Sequence, residues 1–239
     1  YGDTVLVHAS LSSIGWIIGG QETLFKAIMS VVGPLGTLVV PAQTMDNSDP
    51  ENWEKPAVPI TWFDTIRANM PPFDKKTTPT RSMGRFVEYV RTLPDALRSS
   101  HPQVSFVAYG FHAKKIVKIH ELTPKFGLSS PLGTLYGIPK TKILMIGTDI
   151  TTCTGLHLAE ALSNKHSMKE KNGCAMYVNN KRQWVTYEDF VYDSDRFVAI
   201  ESQYPSKNNI VSGHVGHAET KVYDFKHLID FGVKVLNQA

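Results

Sequence analysis

Residues 142–162 read KILMIGTDITTCTGLHLAEAL, and this stretch indicates the fold class. Its apolar run Ile143 to Ile146 predicts a buried strand, which a threonine-rich loop and an amphipathic helix follow. His157 and Glu160 are three residues apart, so they share one face of that helix. A single helical histidine is more often structural. Because α/β folds place ligands beyond the carboxyl ends of their strands, His157 is nevertheless the leading candidate for a general base.

The residues before this stretch repeat the alternation of strand and helix. TVLVHASL at 4–11 predicts a strand, ETLFKAIMSVVG at 22–33 an amphipathic helix and TLVVPAQT at 37–44 a second strand. Such a unit favours two parallel strands joined by a right-handed crossover. The polar segment 45–79 predicts a binding loop or lid that contains a short helix at 61–70. Residues 84–92 predict a further helix.

The last third of the chain has a different pattern. AMYVNN at 175–180 and RQWVTYEDF at 182–190 predict a hairpin with an Asn-Asn turn, and HLIDFGVKVL at 227–236 predicts a closing helix. We therefore expect one α/β domain over residues 1–239, with a central mixed, largely parallel sheet flanked by helices and a smaller antiparallel β subdomain at 171–212. The chain starts at Tyr1 without a methionine, so we expect a preceding N-terminal element to be missing.

Composition excludes several classes of protein. The 25 basic and 22 acidic residues give a net charge of +3, too small and too dispersed to predict binding to nucleic acid or to a membrane. No apolar run approaches the roughly 20 residues that cross a bilayer, and no signal peptide is evident. Cys153 and Cys174 form no disulfide framework, so a cytoplasmic location is the default expectation.

Three loops contain residues that suit an anionic ligand. HASLSSIGWIIGG at 8–20 offers serine hydroxyls and backbone N–H groups ahead of a helix, although a simple Gly/Ser connection explains the pattern equally well. TPTRSMGRF at 78–86 offers Arg81 and Ser82. SSHPQVSF at 99–106 places His101 and Ser105 near a strand edge.

Other catalytic patterns are missing from the sequence. It contains neither a GxSxG motif nor an HExxH motif. His112 and His120 are too far apart to share one helix face, and His214 and His217 lack carboxylate or thiol partners at the spacing of metal ligands. We therefore expect no metal, and a metal-dependent hydrolase would require bound zinc.

Several motifs in fixed order together resemble one known family. HASLSSIG, the segment beginning PAQTMDNSDP, TPTRSMGRF, SPLGTLYG and GTDITTCTGLHLAEAL are similar to the aminoglycoside 3-N-acetyltransferase family, which is distinct from the GNAT fold. The resemblance covers essentially the whole chain. It implies an acetyl-CoA-dependent transferase that acetylates the 3-amino group of 2-deoxystreptamine aminoglycosides.

The resemblance also implies roles for individual residues. His157, in the LHLAE segment, would be the general base of a direct transfer, and its carboxylate partner would be Glu160 or Glu201, with Glu201 slightly favoured. Carboxylates for a polycationic substrate would come from Asp46, Asp49 and Asp149. The residues implied for coenzyme A are Ser10, Leu11, Ser12, Ser13, Gly15, Arg81, Ser82, His101, Ser105 and Val107.

One departure from the family keeps alternatives open. Some members carry an acid six residues before the histidine, where this chain has Thr151. The alternatives are an N-acetyltransferase of the same architecture for a non-antibiotic amine, and a coenzyme A binding protein without turnover. A homodimer also remains open.

Overall fold

A mixed sheet, a separate hairpin and the surrounding helices make up the protein, for which a computed structural model describes residues 2–164, 167–205 and 210–238. The strands are β1 (Thr4–Ala9), β2 (Thr37–Pro41), β3 (Leu97–Arg98), β4 (Phe106–Gly110), β5 (Thr141–Ile146), β6 (Lys169–Val178), β7 (Lys181–Phe190), β8 (Ile210–Val215) and β9 (Ala218–Asp224). The helices are α1 (Leu11–Ile14), α2 (Gly20–Val32), α3 (Phe63–Asn69), α4 (Gly84–Thr92), α5 (Ala113–Ile116), α6 (Pro131–Tyr136), α7 (His157–Leu162), α8 (Phe197–Gln203) and α9 (Phe225–Gln238). The helices predicted at 22–33, 84–92 and 227–236 are among them.

The main sheet has the strand order β3-β4-β2-β1-β5-β9-β8. β1 lies at its centre and pairs in parallel with β2 and β5, so the predicted parallel pair is confirmed. The other four pairs, β2–β4, β3–β4, β5–β9 and β8–β9, are antiparallel. The α/β class and the mixed sheet are confirmed, but the expectation of a largely parallel sheet is wrong. Parallel neighbours need long crossovers, whereas β8 and β9 are joined by a two-residue turn that forces an antiparallel pair.

Helices cover both faces of this sheet. Successive residues of a strand point to opposite faces, and Leu6 of β1 accordingly lies in one core while Val5 and Val7 lie in the other. α2 and α4 cover the face of Val5 and Val7, with Leu24 among the contacts. α7, α8 and α9 cover the face of Leu6, where Phe225 is fully buried. This second face is the one that carries His157.

The hairpin of β6 and β7 forms a separate two-stranded sheet. Asn179 and Asn180 connect the strands with φ of 51° and 61°, the left-handed conformation that a tight hairpin turn requires. The unit is shorter than the predicted 171–212. Phe197 and Ile200 of α8, which follow the hairpin, are fully buried in the main core. Residues 206–209 of that predicted range lie outside the described residues.

The polar segment 45–79 contains the predicted short helix, α3, and is attached to the hairpin. Asn47 Nδ2 donates to the Ala175 carbonyl oxygen at 2.8 Å, and Ala175 N–H donates back to Asn47 Oδ1 at 2.8 Å. Phe73 N–H donates to the same carbonyl at 2.9 Å. The Arg182 guanidinium donates to the carbonyl oxygens of Arg67 and Met70 at the end of α3. These contacts hold the segment and the hairpin together as the two walls of one cleft.

Candidate active site

The loops that follow β1 and β5 meet at one edge of the sheet. Ser10 N–H donates to the Ile146 carbonyl oxygen at 2.9 Å, and Ser13 Oγ donates to the Gly147 carbonyl oxygen at 3.2 Å. Gly147 has φ of 62°, and a Cβ there would lie only 2.5 Å from the Cβ of Ser13. Because the carboxyl ends of parallel neighbours share an edge, this is the crevice where α/β folds bind ligands.

His157 begins α7 at this edge and pairs with Glu160. The distance from His157 Nδ1 to Glu160 Oε2 is 2.6 Å. Glu160 is fully buried, and its second oxygen, Oε1, accepts the Asp193 N–H at 3.0 Å. A carboxylate at Nδ1 holds the proton of the neutral imidazole on that nitrogen, so Nε2 is free to accept another. The pair therefore has the arrangement of a general base with its orienting acid.

Aromatic rings hold the His157 imidazole in place. Phe126 stacks on it with ring centroids 4.7 Å apart and planes 15° apart. Tyr192 and Phe197 approach edge-on with centroids 5.4 Å and 5.0 Å away. The His157 side chain is 15% exposed. An imidazole that is packed on several sides and still reaches solvent can exchange a proton with a bound ligand.

Glu201 has other partners than His157. Its Oε1 accepts from Tyr223 OH at 2.8 Å and from Lys221 Nζ at 3.0 Å. Burial and the Glu201 carboxylate raise the pKa of Tyr223 above its usual range, so this phenol stays protonated and donates. The slight preference for Glu201 as the partner of His157 is wrong. A side chain three residues along the same helix reaches Nδ1, whereas Glu201 on α8 faces β9.

A second histidine, which sequence reasoning did not single out, lies near His157. His8 is near the end of β1 on the face that carries His157, and its Nε2 is buried with no hydrogen-bond partner among the described residues. Burial, together with the charge of His157, lowers the pKa of His8 to about 4. His8 is therefore a neutral imidazole at neutral pH.

The serine loop after β1 borders a cavity of about 460 Å³. Ser10 Oγ accepts from Ser13 N–H at 3.3 Å and lies 3.1 Å from Ser12 Oγ. The cavity brings together four of the residues implied for coenzyme A, namely Ser10, Leu11, Ser12 and Gly15. It also includes Arg85, a cation that was not predicted from the sequence. Its lining comprises Ala9, Ser10, Leu11, Ser12, Gly15, Trp16, Ile17, Gly20, Gly84, Arg85 and Phe86. Arg85 could have been found from its place beside Gly84 in the quoted TPTRSMGRF motif.

Arg81 and Ser82 do not line that cavity. Arg81 borders a different one, of about 430 Å³, together with Asp46. Its Nε lies 3.5 Å from Asp46 Oδ1. Ser82 has a left-handed φ of 57° two residues before Gly84, the first residue of α4. Arg81, implied for coenzyme A, is thus paired with Asp46, which was implied for the polycationic substrate.

Three further residues implied for coenzyme A are inside the protein. His101 and Ser105 are fully buried, and so is Val107 of β4. His101 Nδ1 accepts the N–H groups of Gln103 and Val104 at 3.1 Å and 3.2 Å. Ser105 Oγ donates to a backbone carbonyl at 2.7 Å. Their assignment to the coenzyme is therefore corrected. All three side chains are buried, and the polar groups of His101 and Ser105 make hydrogen bonds to the backbone of the protein itself.

The three aspartates implied for the substrate are separated by the fold. Asp149 Oδ1 accepts the Thr151 N–H at 3.0 Å and caps the turn of residues 150–152. Asp46 is 72% exposed at the Arg81 cavity. Asp49 alone borders the cleft between the hairpin and the segment 45–79, a cavity of about 680 Å³. That cavity is lined by Asp49, Glu51, Asn52, Arg67, Glu170, Lys171, Asn172, Trp184, Thr186, Tyr187 and Glu188.

Lys125 connects this cleft to the His157 region. Its Nζ lies 3.3 Å from Glu170 Oε1 in the cavity wall and 5.1 Å from the centroid of the Tyr192 ring, which itself contacts His157. Sequence reasoning missed Lys125 and Glu170. The two-residue alternation of the hairpin strands could have identified three of the four lining residues of β7, since Trp184, Thr186 and Glu188 point to one face.

Within residues 2–164, 167–205 and 210–238, no three His, Cys, Asp or Glu side chains converge as ligands for a metal ion. No helix in those ranges is both long and apolar enough to span a membrane.

Comparison with known proteins places these features in context. The family model described as aminoglycoside 3-N-acetyltransferase matches residues 6–237. The chain is 39% identical over 234 residues to the prophage-derived aminoglycoside N(3')-acetyltransferase-like protein YokD of Bacillus subtilis, covering 98% of this chain and 85% of that protein. The crystal structure of YokD superposes with a TM-score of 0.94 over 99% of this chain and 88% of YokD.

Enzymes named for the activity itself are similar over the same length. Aminoglycoside N(3)-acetyltransferase III of Pseudomonas aeruginosa is 30% identical over 241 residues, covering 98% of this chain and 87% of that enzyme. The solved binary complex of AAC-IIIb with CoASH has a TM-score of 0.87 and 29% identity, covering 100% of this chain and 91% of AAC-IIIb.

Proposed function

This chain belongs to the aminoglycoside 3-N-acetyltransferase family, and on that premise we propose how its residues transfer an acetyl group from acetyl-CoA to the 3-amino group of a 2-deoxystreptamine aminoglycoside. The observation that carries the proposal is the pair of His157 and buried Glu160 in the crevice at the ends of β1 and β5. A relative bound to CoASH supports the choice of acetyl donor.

The pair supplies a base for direct transfer. Nε2 of His157 accepts a proton from the attacking amine, whose lone pair forms a bond to the thioester carbonyl carbon. The tetrahedral intermediate then collapses, the C–S bond breaks, and the proton on Nε2 passes to the leaving thiolate of coenzyme A. Glu160 stabilises the imidazolium that exists between these two proton transfers.

The cavity beside the serine loop is where we place coenzyme A. Serine hydroxyls and the exposed Arg85 suit a polyanion. Trp16, 88% exposed, and Ile18, 75% exposed, offer apolar surface for the uncharged part of the coenzyme.

The cleft between the hairpin and the segment 45–79 is where we place the aminoglycoside. Four carboxylates line it, those of Asp49, Glu51, Glu170 and Glu188. Carboxylates attract a polycation, and Lys125 and Tyr192 lie between this cleft and the base.

The experiment that tests the function is thiol release from acetyl-CoA with a panel of aminoglycosides and a no-acceptor control, followed by mass analysis of the product. We expect acceptor-dependent release and the gain of one acetyl group. His157→Ala should lower kcat by about two to four orders of magnitude and leave the Kd for coenzyme A nearly unchanged.

His112→Ala, at a half-buried histidine distant in sequence from the site, is the matched control and should keep wild-type turnover. Wild-type kcat in His157→Ala would remove this residue from the mechanism. Coenzyme A binding without acetylation of any aminoglycoside would favour the alternative of a different amine acceptor.

A further inference from the structure

Three of the four carboxylates in the cleft between the hairpin and the segment 45–79, here called the acceptor cleft, form ion pairs with cations of the protein itself. Arg67 Nη2 lies 2.6 Å from Asp49 Oδ1 and 3.3 Å from Glu51 Oε2. Lys125 Nζ lies 3.3 Å from Glu170 Oε1. Lys171 and Glu188 are directly opposite each other across the two strands of the hairpin. The lining therefore carries four carboxylates against two cations, Arg67 and Lys171, so part of its negative charge is offset within the protein.

Arg67 is the cation held most firmly in this cleft. Both Nε and Nη2 donate to Asp49, so the guanidinium approaches that carboxylate with two donors. Asp49 is only 12% exposed, which limits the screening of the pair by solvent. The backbone beneath Arg67 is also anchored, since the Arg182 guanidinium donates to the Arg67 carbonyl oxygen. A ligand ammonium group would have to compete with a preorganised cation to reach Asp49.

We propose that Arg67 is a specificity-determining residue, which occupies Asp49 and Glu51 and so favours acceptors with few ammonium groups over highly charged ones. This inference rests on the proposed function, because it assumes that the acceptor binds in the cleft of Asp49. The physical basis is electrostatic. Each further ammonium group on a ligand is attracted by carboxylates that have no cationic partner and is repelled by a fixed cation nearby.

The test is isothermal titration calorimetry with 2-deoxystreptamine and with a series of its aminoglycosides that carry increasing numbers of amino groups. Arg67→Gln removes the cation and leaves both carboxylates unpaired. Repulsion between the Arg67 guanidinium and a ligand ammonium group a few ångströms away, in a half-buried cleft, is large enough to change affinity about tenfold. We expect Arg67→Gln to lower the Kd of the most highly charged aminoglycoside by about tenfold and that of 2-deoxystreptamine much less.

Two further variants make the experiment specific. Lys26→Gln is the matched control, since it removes the same charge from an exposed pair with Glu22 on α2 and should leave the series unchanged. Arg67→Lys keeps the charge without the two-donor contact and should retain the wild-type order of affinities. Circular dichroism and thermal unfolding establish that each variant is folded.

The outcomes separate this proposal from the proposed function. A change in Arg67→Gln that grows with the number of amino groups supports the role of Arg67, whether or not any aminoglycoside is acetylated. Equal changes across the series, equal changes in Arg67→Gln and Lys26→Gln, or no binding of any amine would overturn it. Failure of thiol release with this binding pattern intact would overturn the proposed function alone.

Discussion

At the scale of single residues, the proposed chemistry depends on which nitrogen of His157 carries the proton. Glu160 Oε2 lies 2.6 Å from Nδ1, and Glu160 Oε1 accepts the Asp193 N–H at 3.0 Å. The second contact matters because the Asp193 N–H requires an oxygen acceptor at this position. It therefore fixes the orientation of the carboxylate, and it would also fix the orientation of a glutamine amide at residue 160. The imidazole is thereby held with Nδ1 protonated and Nε2 open.

Glu160→Gln is predicted to move the proton of the neutral His157 imidazole from Nδ1 to Nε2. The glutamine oxygen would remain on the Asp193 N–H, so its NH₂ group would donate to Nδ1 and leave the proton on Nε2. We expect kcat to fall about a hundredfold or more, as for a catalytic histidine in the wrong tautomer, with the Kd for coenzyme A unchanged. Steady-state kinetics and calorimetry measure the two quantities.

Glu201→Gln is the matched control for that prediction. Glu201 is 29% exposed and paired with Lys221, a type of contact that is worth little in water. Its kcat should stay within about fivefold of the wild type. A loss in Glu201→Gln as large as that in Glu160→Gln would restore Glu201 as the partner of the base.

At the scale of secondary-structure elements, the proposed acceptor cleft exists because the segment 45–79 is attached to a hairpin that is not part of the main sheet. Asn47 makes two hydrogen bonds to the backbone of Ala175, and Gln103 Nε2 donates to the Gly173 carbonyl oxygen from the other side at 3.2 Å. A segment rich in Pro and Asp was predicted to be a binding loop or lid. Its attachment to the hairpin makes it a wall of the cleft.

Asn47→Ala is predicted to weaken this attachment. The Ala175 N–H, in a fully buried residue, would lose its acceptor, while the Ala175 carbonyl oxygen would keep Phe73. A buried donor without a partner costs about 2 kcal/mol, which urea unfolding would measure. Asn52→Ala serves as the control, since Asn52 is exposed and its hydrogen bond to the Lys171 carbonyl oxygen is long at 3.3 Å. This substitution should lower the free energy of unfolding by less than about 0.5 kcal/mol. Equal losses in both variants would contradict the prediction.

At the scale of the whole molecule, three buried histidines link stability to pH. Burial lowers the pKa of His8 and of His120 to about 4, and it lowers that of His101 well below its ordinary value. His120 is fully hydrogen-bonded when neutral, with Ser99 Oγ 2.9 Å from Nδ1 and the Lys125 carbonyl oxygen 2.9 Å from Nε2. The folded protein therefore resists protonation that the unfolded chain accepts.

Stability is accordingly predicted to fall on mild acidification. Because the folded pKa values lie below the unfolded value near 6.5, the contribution is complete above pH 6.5 and decreases as the pH falls towards 4. At pH 5 each of His8 and His120 should reduce the free energy of unfolding by about 2 kcal/mol. Urea unfolding at pH 7 and pH 5 measures the sum. His120→Gln should remove about half of the effect of these two residues, and an unchanged pH dependence in that variant would refute the assignment to His120.

The order of elements could be predicted from the sequence because it depends on neighbours along the chain. Apolar periodicity located β1, α2, β2, α4, β5 and α9, and the Asn-Asn pair located the hairpin turn. The spacing of His157 and Glu160 placed both on one helix face, which is a property of local geometry alone. Family resemblance added the reaction class, and the matching family model confirmed it.

Contacts between distant residues were decided by the tertiary structure. Strand directions depended on how β4 and β9 return to the sheet, and burial removed His101, Ser105 and Val107 from the surface. The pairing of Arg67 with Asp49 joins side chains that are 18 residues apart. A sequence states which groups a chain carries and how they alternate, whereas charge compensation and access depend on distances in space that only the packed fold sets.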